Sequence, residues 1–394
     1  MIVGRPQHSV RPGTVIADKY RVLRELGRGG FGIVVSAIHL QLDQTVAIKI
    51  LTAGDDGDAG WKEDAARFRR EGQATAALRS EHVVRILDVD VLESGNPYMV
   101  MEYLEGETLH TLLHTREPLT IGEAVDHIVE VLAALAEAHA AGIVHRDLKP
   151  ANVFVTRGPG DIPVVKVLDF GVSKVGAHGV IDEPAGASQP ITKTGALIGT
   201  VAYMAPEQML DAKRVDARAD LWSVAIMLFE LLTKQTPFGP QNASTLVTTM
   251  LTKPPTPLSR LRPDVPPKLD AILARCLEKV AAKRYATAGA VAAELAPFTT
   301  PRARAALESL RRTGRPTGAA APVEKGTPKL ARAPSDRADD PAKRRKRIAA
   351  ILGMLVMIAL LGLAAGMLLA TRKGASPRVG ASPSASAGAP AKRE

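Results

Sequence analysis

Asp147, Asn152 and Asp169 are the residues of this chain best spaced to do chemistry together. Asp147 lies in the run His145, Arg146, Asp147, Leu148, Lys149, Pro150, Ala151 and Asn152. Asp169 opens the triplet Asp169, Phe170 and Gly171, seventeen positions after Asn152. Phosphoryl transfer needs a carboxylate facing the attacking hydroxyl and two oxygen-bearing groups facing Mg²⁺. On this reading Asp147 is the first, and Asn152 and Asp169 are the second. Each alone is an ordinary loop residue; the joint spacing around the β-type run Val164 to Leu168 lifts the set above background.

Other elements must bring a nucleotide to these groups. Residues 20 to 26 and 33 to 39 alternate or run apolar with β-branched content, separated by Gly27, Arg28, Gly29, Gly30, Phe31 and Gly32. This predicts a hairpin with a glycine-rich turn, whose missing side chains let backbone N–H groups approach phosphates. A dinucleotide-binding fold is the competing reading, but it requires a helix straight after the glycines and an acidic residue about twenty positions on. Here Ile33, Val34, Val35 and Ser36 continue as strand, and Lys49 follows Gly32 by seventeen residues at the end of Val46, Ala47 and Ile48. Apolar spacing at Phe68, Ala74 and Leu78 predicts a helix from Trp61 to Leu78.

Together these motifs resemble the protein kinase family, and within it the eukaryotic-like (Hanks-type) Ser/Thr kinases of bacteria, over about residues 17 to 298. The resemblance implies an α+β, two-lobed protein kinase fold: a small lobe (17–104) with an antiparallel sheet and one helix, a hinge near 102 to 104, and a mainly helical large lobe (105–298). It also implies roles. ATP would contact Leu26, Gly27, Arg28, Gly29, Gly30, Phe31, Gly32, Ile33 and Val34, the Lys49 ammonium, the Glu102 carbonyl and the Leu104 backbone, with Met101 as gatekeeper. Glu71 would pair with Lys49, with Glu63 as runner-up; an exposed intrahelical pair is the bland alternative for Glu71. Asp147 would orient the substrate hydroxyl and accept its proton, Lys149 would steady the transferred phosphoryl group, and Asn152 and Asp169 would hold Mg²⁺, or Mn²⁺ in its place. Lys149, two residues after Asp147, is the Ser/Thr pattern. From Asp169 to Glu207 runs an activation segment closed by Ala205, Pro206 and Glu207, in which Thr192 and Thr194 are the candidate autophosphorylation sites and Arg146 the phosphate's partner. Thr200 would pack against the catalytic groups, Asp220 would open the long helix of the large lobe, and Arg284 would form a buried pair with Glu207.

Charge is unevenly placed along the 394 residues. Residues 299–394 hold 19 Lys plus Arg against 6 Asp plus Glu, leaving 32 against 35 in 1–298, so the main domain has no strongly basic character suggesting a nucleic-acid surface, and no nucleic-acid partner is expected. Cys276 is the only cysteine, which excludes an intrachain disulfide and reads as a core thiol in a reducing compartment. Residues 1–16 form an N-terminal extension without the apolar run of a signal peptide. A Pro, Ala and Arg-rich stretch from 299 to 347 reads as a juxtamembrane tether.

Ile348 to Ala370 are 23 uncharged, mostly apolar residues, which as a helix would span roughly 35 Å against a hydrocarbon core of about 30 Å. Eight Lys or Arg lie in the twenty residues before this segment and three in the twenty after, so the positive-inside rule puts the N-terminal side in the cytoplasm. Residues 371–394 would be a short extracytoplasmic tail.

The expectation is therefore an ATP-dependent Ser/Thr protein kinase at the inner face of the plasma membrane, anchored by one helix through membrane lipid. Self-association would accompany trans-autophosphorylation, and protein substrates would supply the Ser and Thr acceptors. A pseudokinase scaffold that binds nucleotide and partners is the main alternative. A small-molecule phosphotransferase with the same fold is another, which the complete activation segment disfavours.

Overall fold

Alternation of apolar and polar side chains along residues 20 to 50 builds a sheet with two different faces. A computed structural model describes residues 10–29, 32–52, 57–170, 201–211, 215–239 and 242–313. Its first sheet holds β1 (Val15–Ile16), β2 (Tyr20–Gly29), β3 (Gly32–His39), β4 (Gln44–Ile50), β5 (Ile86–Val91) and β6 (Pro97–Glu102), in the spatial order β1-β2-β3-β4-β6-β5 with neighbours antiparallel. Val35, Ile48, Ile50 and Val100 face one apolar layer. Ala47, Met99 and Met101 face the other, together with Phe68 of the helix α1 (Gly57–Ala76). Because side chains alternate along a strand, Lys49 shares the α1 side with Ala47. The helix sits close: a Cβ on Gly72 would lie 2.8 Å from both Met99 Cε and Val89 Cγ2.

The glycine turn is tighter than the sequence predicts. Strand pairing continues through Gly27↔Val34, Arg28↔Ile33 and Gly29↔Gly32, with register shifts near Val22 and Glu25, so the strands extend beyond 26 and begin before 33. Gly32 has φ +130°, and a Cβ there would lie 2.0 Å from the Ile50 carbonyl oxygen of β4. Glycine is the residue that permits both. At Gly27 and Gly29, by contrast, a Cβ would meet nothing within 4 Å. Their backbone faces open space.

The second part of the molecule is built on two apolar helices, α3 (Ile121–Ala140) and α5 (Arg218–Thr233), each buried along most of its length. Thr120 starts α3 with a reciprocal capping box to Glu123, which satisfies two donors at the helix end. The short α2 (Leu109–Thr115) precedes it, and β7 (Gly106–Thr108), β8 (Val153–Arg157) and β9 (Pro163–Val167) form a small antiparallel sheet. Then come α4 (Pro206–Leu210), α6 (Ala243–Thr252), α7 (Pro267–Cys276) and α8 (Ala288–Leu295). Cys276 is buried in this core, and burial pushes its thiol up to about 12, which keeps it protonated.

The tether expected from residue 299 is corrected by a further helix, α9 (Arg304–Thr313). Ala303, Ala306 and Leu310 are buried in the main core, and α9 packs on α3. The spacing of those three residues puts them on one helical face, so a stretch rich in Pro, Ala and Arg still has an apolar stripe to bury. Among the described residues no helix is long and apolar enough to cross a membrane. Residues 348–370 lie outside them, as do Gly30, Phe31, Gly171, Thr192, Thr194 and Thr200.

Candidate active site

Lys49 is the point at which the two parts of the fold meet in a charged cluster. Its ammonium is 2.8 Å from Asp169 Oδ1 and 4.0 Å from Glu71 Oε1. Glu71 lies three residues after the buried Phe68 and so on the sheet-facing side of α1. Glu63, the runner-up, pairs instead within the exposed part of the helix, 2.5 Å from Arg67. The sequence paired Lys49 with Glu71, whereas the structure puts Asp169 nearer. Burial alone would push the Lys49 pKa down, but Asp169, Glu71 and Asp147 together outweigh it and raise it. Lys49 is a cation at neutral pH.

The loop 145–152 is fixed by side chains that come from far along the chain. Asp220, in the first turn of α5 and fully buried, accepts from the His145 backbone N–H and the His139 ring through Oδ2, at 2.9 and 2.8 Å. Its Oδ1 accepts from the Arg146 N–H at 2.9 Å. Arg146 takes a left-handed φ of 64°, unusual for a side chain of this size, and the carboxylate holds the strained turn. Burial drives the His145 pKa down, against the pull of Asp220. Its Nε2 lies 3.0 Å from the Leu168 carbonyl, which only accepts, so Nε2 carries the proton. Nδ1 is then the acceptor for the Asp147 N–H at 3.3 Å. His145 therefore ties the loop to the residue before Asp169, and its ring also packs on Phe170 at 4.9 Å.

Within the loop, Asn152 Nδ2 donates to the Asp147 carbonyl at 2.8 Å and to Asp147 Oδ2 at 3.2 Å. The Lys149 ammonium lies 3.2 Å from Asp147 Oδ2. Asp169, also at a left-handed φ of 47°, stands one residue beyond the end of β9, and the intervening Leu168 N–H donates to the Asn152 carbonyl at 2.8 Å. Asp147, Lys149, Asn152, Asp169, Lys49 and Glu71 are thus drawn into one cluster. This donor set suits Mg²⁺ and a polyphosphate: a hard cation takes carboxylate and amide oxygens, and phosphate takes a buried ammonium and bare glycine backbone.

At the end of β6 the Glu102 side chain is taken up by partners outside the cluster. Its Oε1 accepts from the Arg85 N–H and the Lys166 ammonium, each at 2.8 Å. Met101 is buried and Leu104 half-buried against the α1-side layer. Leu26 is exposed, Ile33 is buried and Val34 half-buried, while Arg28 folds back on Glu25 at 2.8 Å.

Arg284 and Glu207 meet as a bidentate pair at 2.6 and 2.8 Å, the guanidinium also donating to the carbonyls of Glu278 and Arg218. Next to Glu207, Gln208 Nε2 donates to the Arg146 carbonyl at 2.7 Å, joining α4 to the loop. Sequence reasoning missed His139 and Gln208, and took Asp220 only as a helix opening. Nothing local marks them, because each partner is some sixty to eighty residues away.

A profile of the protein kinase domain matches residues 20–295. The chain is 38% identical over 294 residues to the serine/threonine-protein kinase pkn3 of Myxococcus xanthus, covering 74% of this chain and 52% of that protein. It is 36% identical over 293 residues to the serine/threonine-protein kinase PknB of Mycolicibacterium smegmatis, covering 74% and 43%. It therefore spans about half, or less, of the length of the curated relatives it matches. Its fold is similar to the crystal structure of the Mycobacterium tuberculosis PknI kinase domain, with 28% identity, a TM-score of 0.54, and coverage of 73% of this chain and 99% of that one. With the domain profile spanning most of its length, and the cleft between its sheet and its helices carrying the matching side chains, the chain belongs to the protein kinase family.

Proposed function

We propose that the protein is an ATP-dependent serine/threonine protein kinase acting at the cytoplasmic face of a membrane. The observation that carries this reading is the single cluster of Lys49, Glu71, Asp147, Asn152 and Asp169 beside an open glycine backbone. Lys49 binds and orients nucleotide phosphates, and Glu71 keeps its ammonium directed into the cleft. Asp147 aligns the acceptor hydroxyl and takes its proton. Lys149, already within reach of that carboxylate, steadies the group in transfer. Asn152 and Asp169 would hold Mg²⁺, which when bound neutralises charge on the phosphate oxygens. The names of the relatives support Ser and Thr as acceptors, as does Lys149. Full-length protein given ATP labelled at the γ-phosphate and Mg²⁺ should transfer label to a Ser/Thr-containing protein, and a chelator should stop it. Transfer indifferent to chelation overturns the metal assignment.

Regulation belongs to the same reading. Phosphate on Thr192 or Thr194 adds about −1.5 to −2 charges, which Arg146 would bind to order the activation segment, in a trans reaction between copies. Thr200 would pack beside Asp147 and Lys149, and the Glu207–Arg284 pair would anchor the end of the segment. The apolar run 348–370, with its basic flank, would anchor the chain in lipid as a single helix. Cell fractionation tests this: the protein should sediment with membranes and need detergent for release, and full-length protein that stays soluble without detergent refutes it.

A further inference from the structure

A buried polar cluster lies where residues 299–303 cross α3. The Thr300 N–H donates to Asp126 Oδ1 at 2.9 Å, and its hydroxyl donates to Asp126 Oδ2. Arg302 Nη2 is 3.2 Å from Glu130 Oε1 and donates to His127 Nδ1 at 2.9 Å, while its Nε is 3.7 Å from Asp126 Oδ2. Gly122 leaves room for the crossing, since a Cβ there would come 2.7 Å from Thr300 Cγ2. Asp126, His127 and Glu130 are all buried.

Glu130 reaches further. Its Oε2 accepts the Val165 N–H of β9 at 2.7 Å. β9 is the outer strand of its sheet, and its free edge needs partners for its backbone. Glu130 supplies one at Val165, and the chain around His82 supplies three others: His82 Nδ1 to the Val165 carbonyl at 3.1 Å, the His82 carbonyl to the Val167 N–H at 2.8 Å, and the Val84 N–H to the Val167 carbonyl at 3.1 Å. Asp169 follows two residues later. We propose that Arg302, beyond the residues that the kinase-domain profile matches, is a positioning residue for Asp169: it holds the Glu130 carboxylate in place, and Glu130 holds the edge of β9.

Charge balance supports this. Burial, with Asp126 and Glu81 adding to it, raises the Glu130 pKa to about 7 even against the opposing pull of Arg302 and the Val165 N–H. His127 is driven down to about 3 by burial and by Arg302, so it faces the cluster as a neutral acceptor, and Lys166 and His82 lie on the β9 side. Without the guanidinium Glu130 loses the partner that orients it and is pushed further toward the neutral carboxyl, the weaker acceptor for the Val165 N–H.

The catalytic consequence rests on the kinase reading; the structural one does not, and the two are measured separately. In full-length Arg302→Met, amide exchange of residues 165–168 should speed up by about tenfold, equivalent to ~1.4 kcal/mol, with α1 unchanged. Arg302→Lys should restore most of the protection. The Mg²⁺ concentration giving half-maximal phosphotransfer should rise in Arg302→Met and recover in Arg302→Lys. If Arg302→Met does not fold, Glu130→Gln should show the same selective exchange at 165–168. Unchanged exchange there, or a uniform rise across α3, α5 and β9, overturns the proposal. Absence of phosphotransfer by the wild-type protein would instead defeat the kinase reading and leave the exchange result to be judged alone.

Discussion

Asp147→Asn should lower the turnover number for phosphotransfer by on the order of 10³, the typical contribution of a positioned general base, while nucleotide affinity stays close to wild type. The substitution preserves size but removes the acceptor of the hydroxyl proton. It also faces an amide toward two nitrogen donors, the Lys149 ammonium and Asn152 Nδ2, each 3.2 Å from Oδ2. Lys49, Glu71 and the glycine turn, which would carry the nucleotide, lie on the sheet and α1 and keep their own contacts. The expected signature is a loss in kcat with KM for ATP nearly unmoved, read by steady-state kinetics beside direct ADP titration. A parallel loss of nucleotide binding would mean that Asp147 holds the cleft together and does not act on the acceptor.

Asp220→Ala should cost about 3–5 kcal/mol of folding stability, the range for breaking a buried charged network by removing one member. Three donors would lose their acceptor at once: the backbone N–H groups of His145 and Arg146 and the ring of His139. The His145 N–H, fully buried with Asp220, cannot turn to water, whereas Arg146 and His139 are only partly covered. Activity should fall as well, since Arg146 holds a left-handed backbone immediately before Asp147, and without Asp220 that turn keeps only its carbonyl-side bond from Gln208 and the side-chain bond to Val215. Asp220→Asn should be milder, because an amide oxygen can still accept part of the set. Urea denaturation of the three proteins gives the ordering. Equal stability of wild type and Asp220→Ala would show that the loop carries its own structure.

What was legible in the sequence depended on whether a signal was periodic or local. The resemblance to the kinase family pairs Lys49 with a glutamate of the following helix, and the place in that helix favours Glu71 over Glu63; the structure puts Glu63 in an exposed intrahelical pair and Glu71 in the cleft. The share of Lys49 taken by Asp169 was not legible, because it depends on how β9 ends against the loop. Strand ends at the glycine turn were misread by a few residues, since glycines look like loop but pair as strand here. The tether from 299 was misread for another reason. Its average composition is poor in large apolar residues, while three small or medium ones at helical spacing suffice when α3 offers a groove. Asp220 and Gln208 act through backbone groups of the loop, and His139 through the distant Asp220 carboxylate, which no residue pattern names. Glu130 and Arg302 likewise sit in sequence contexts that read as a buried helix and a Pro-rich stretch.

The most direct test is to recover the labelled residues. Full-length wild-type protein in detergent, incubated with γ-labelled ATP and Mg²⁺ and then acid-hydrolysed, should yield label in phosphoserine and phosphothreonine. Label confined to phosphotyrosine or to free phosphate, or no transfer at all from a protein that binds nucleotide, would contradict the account.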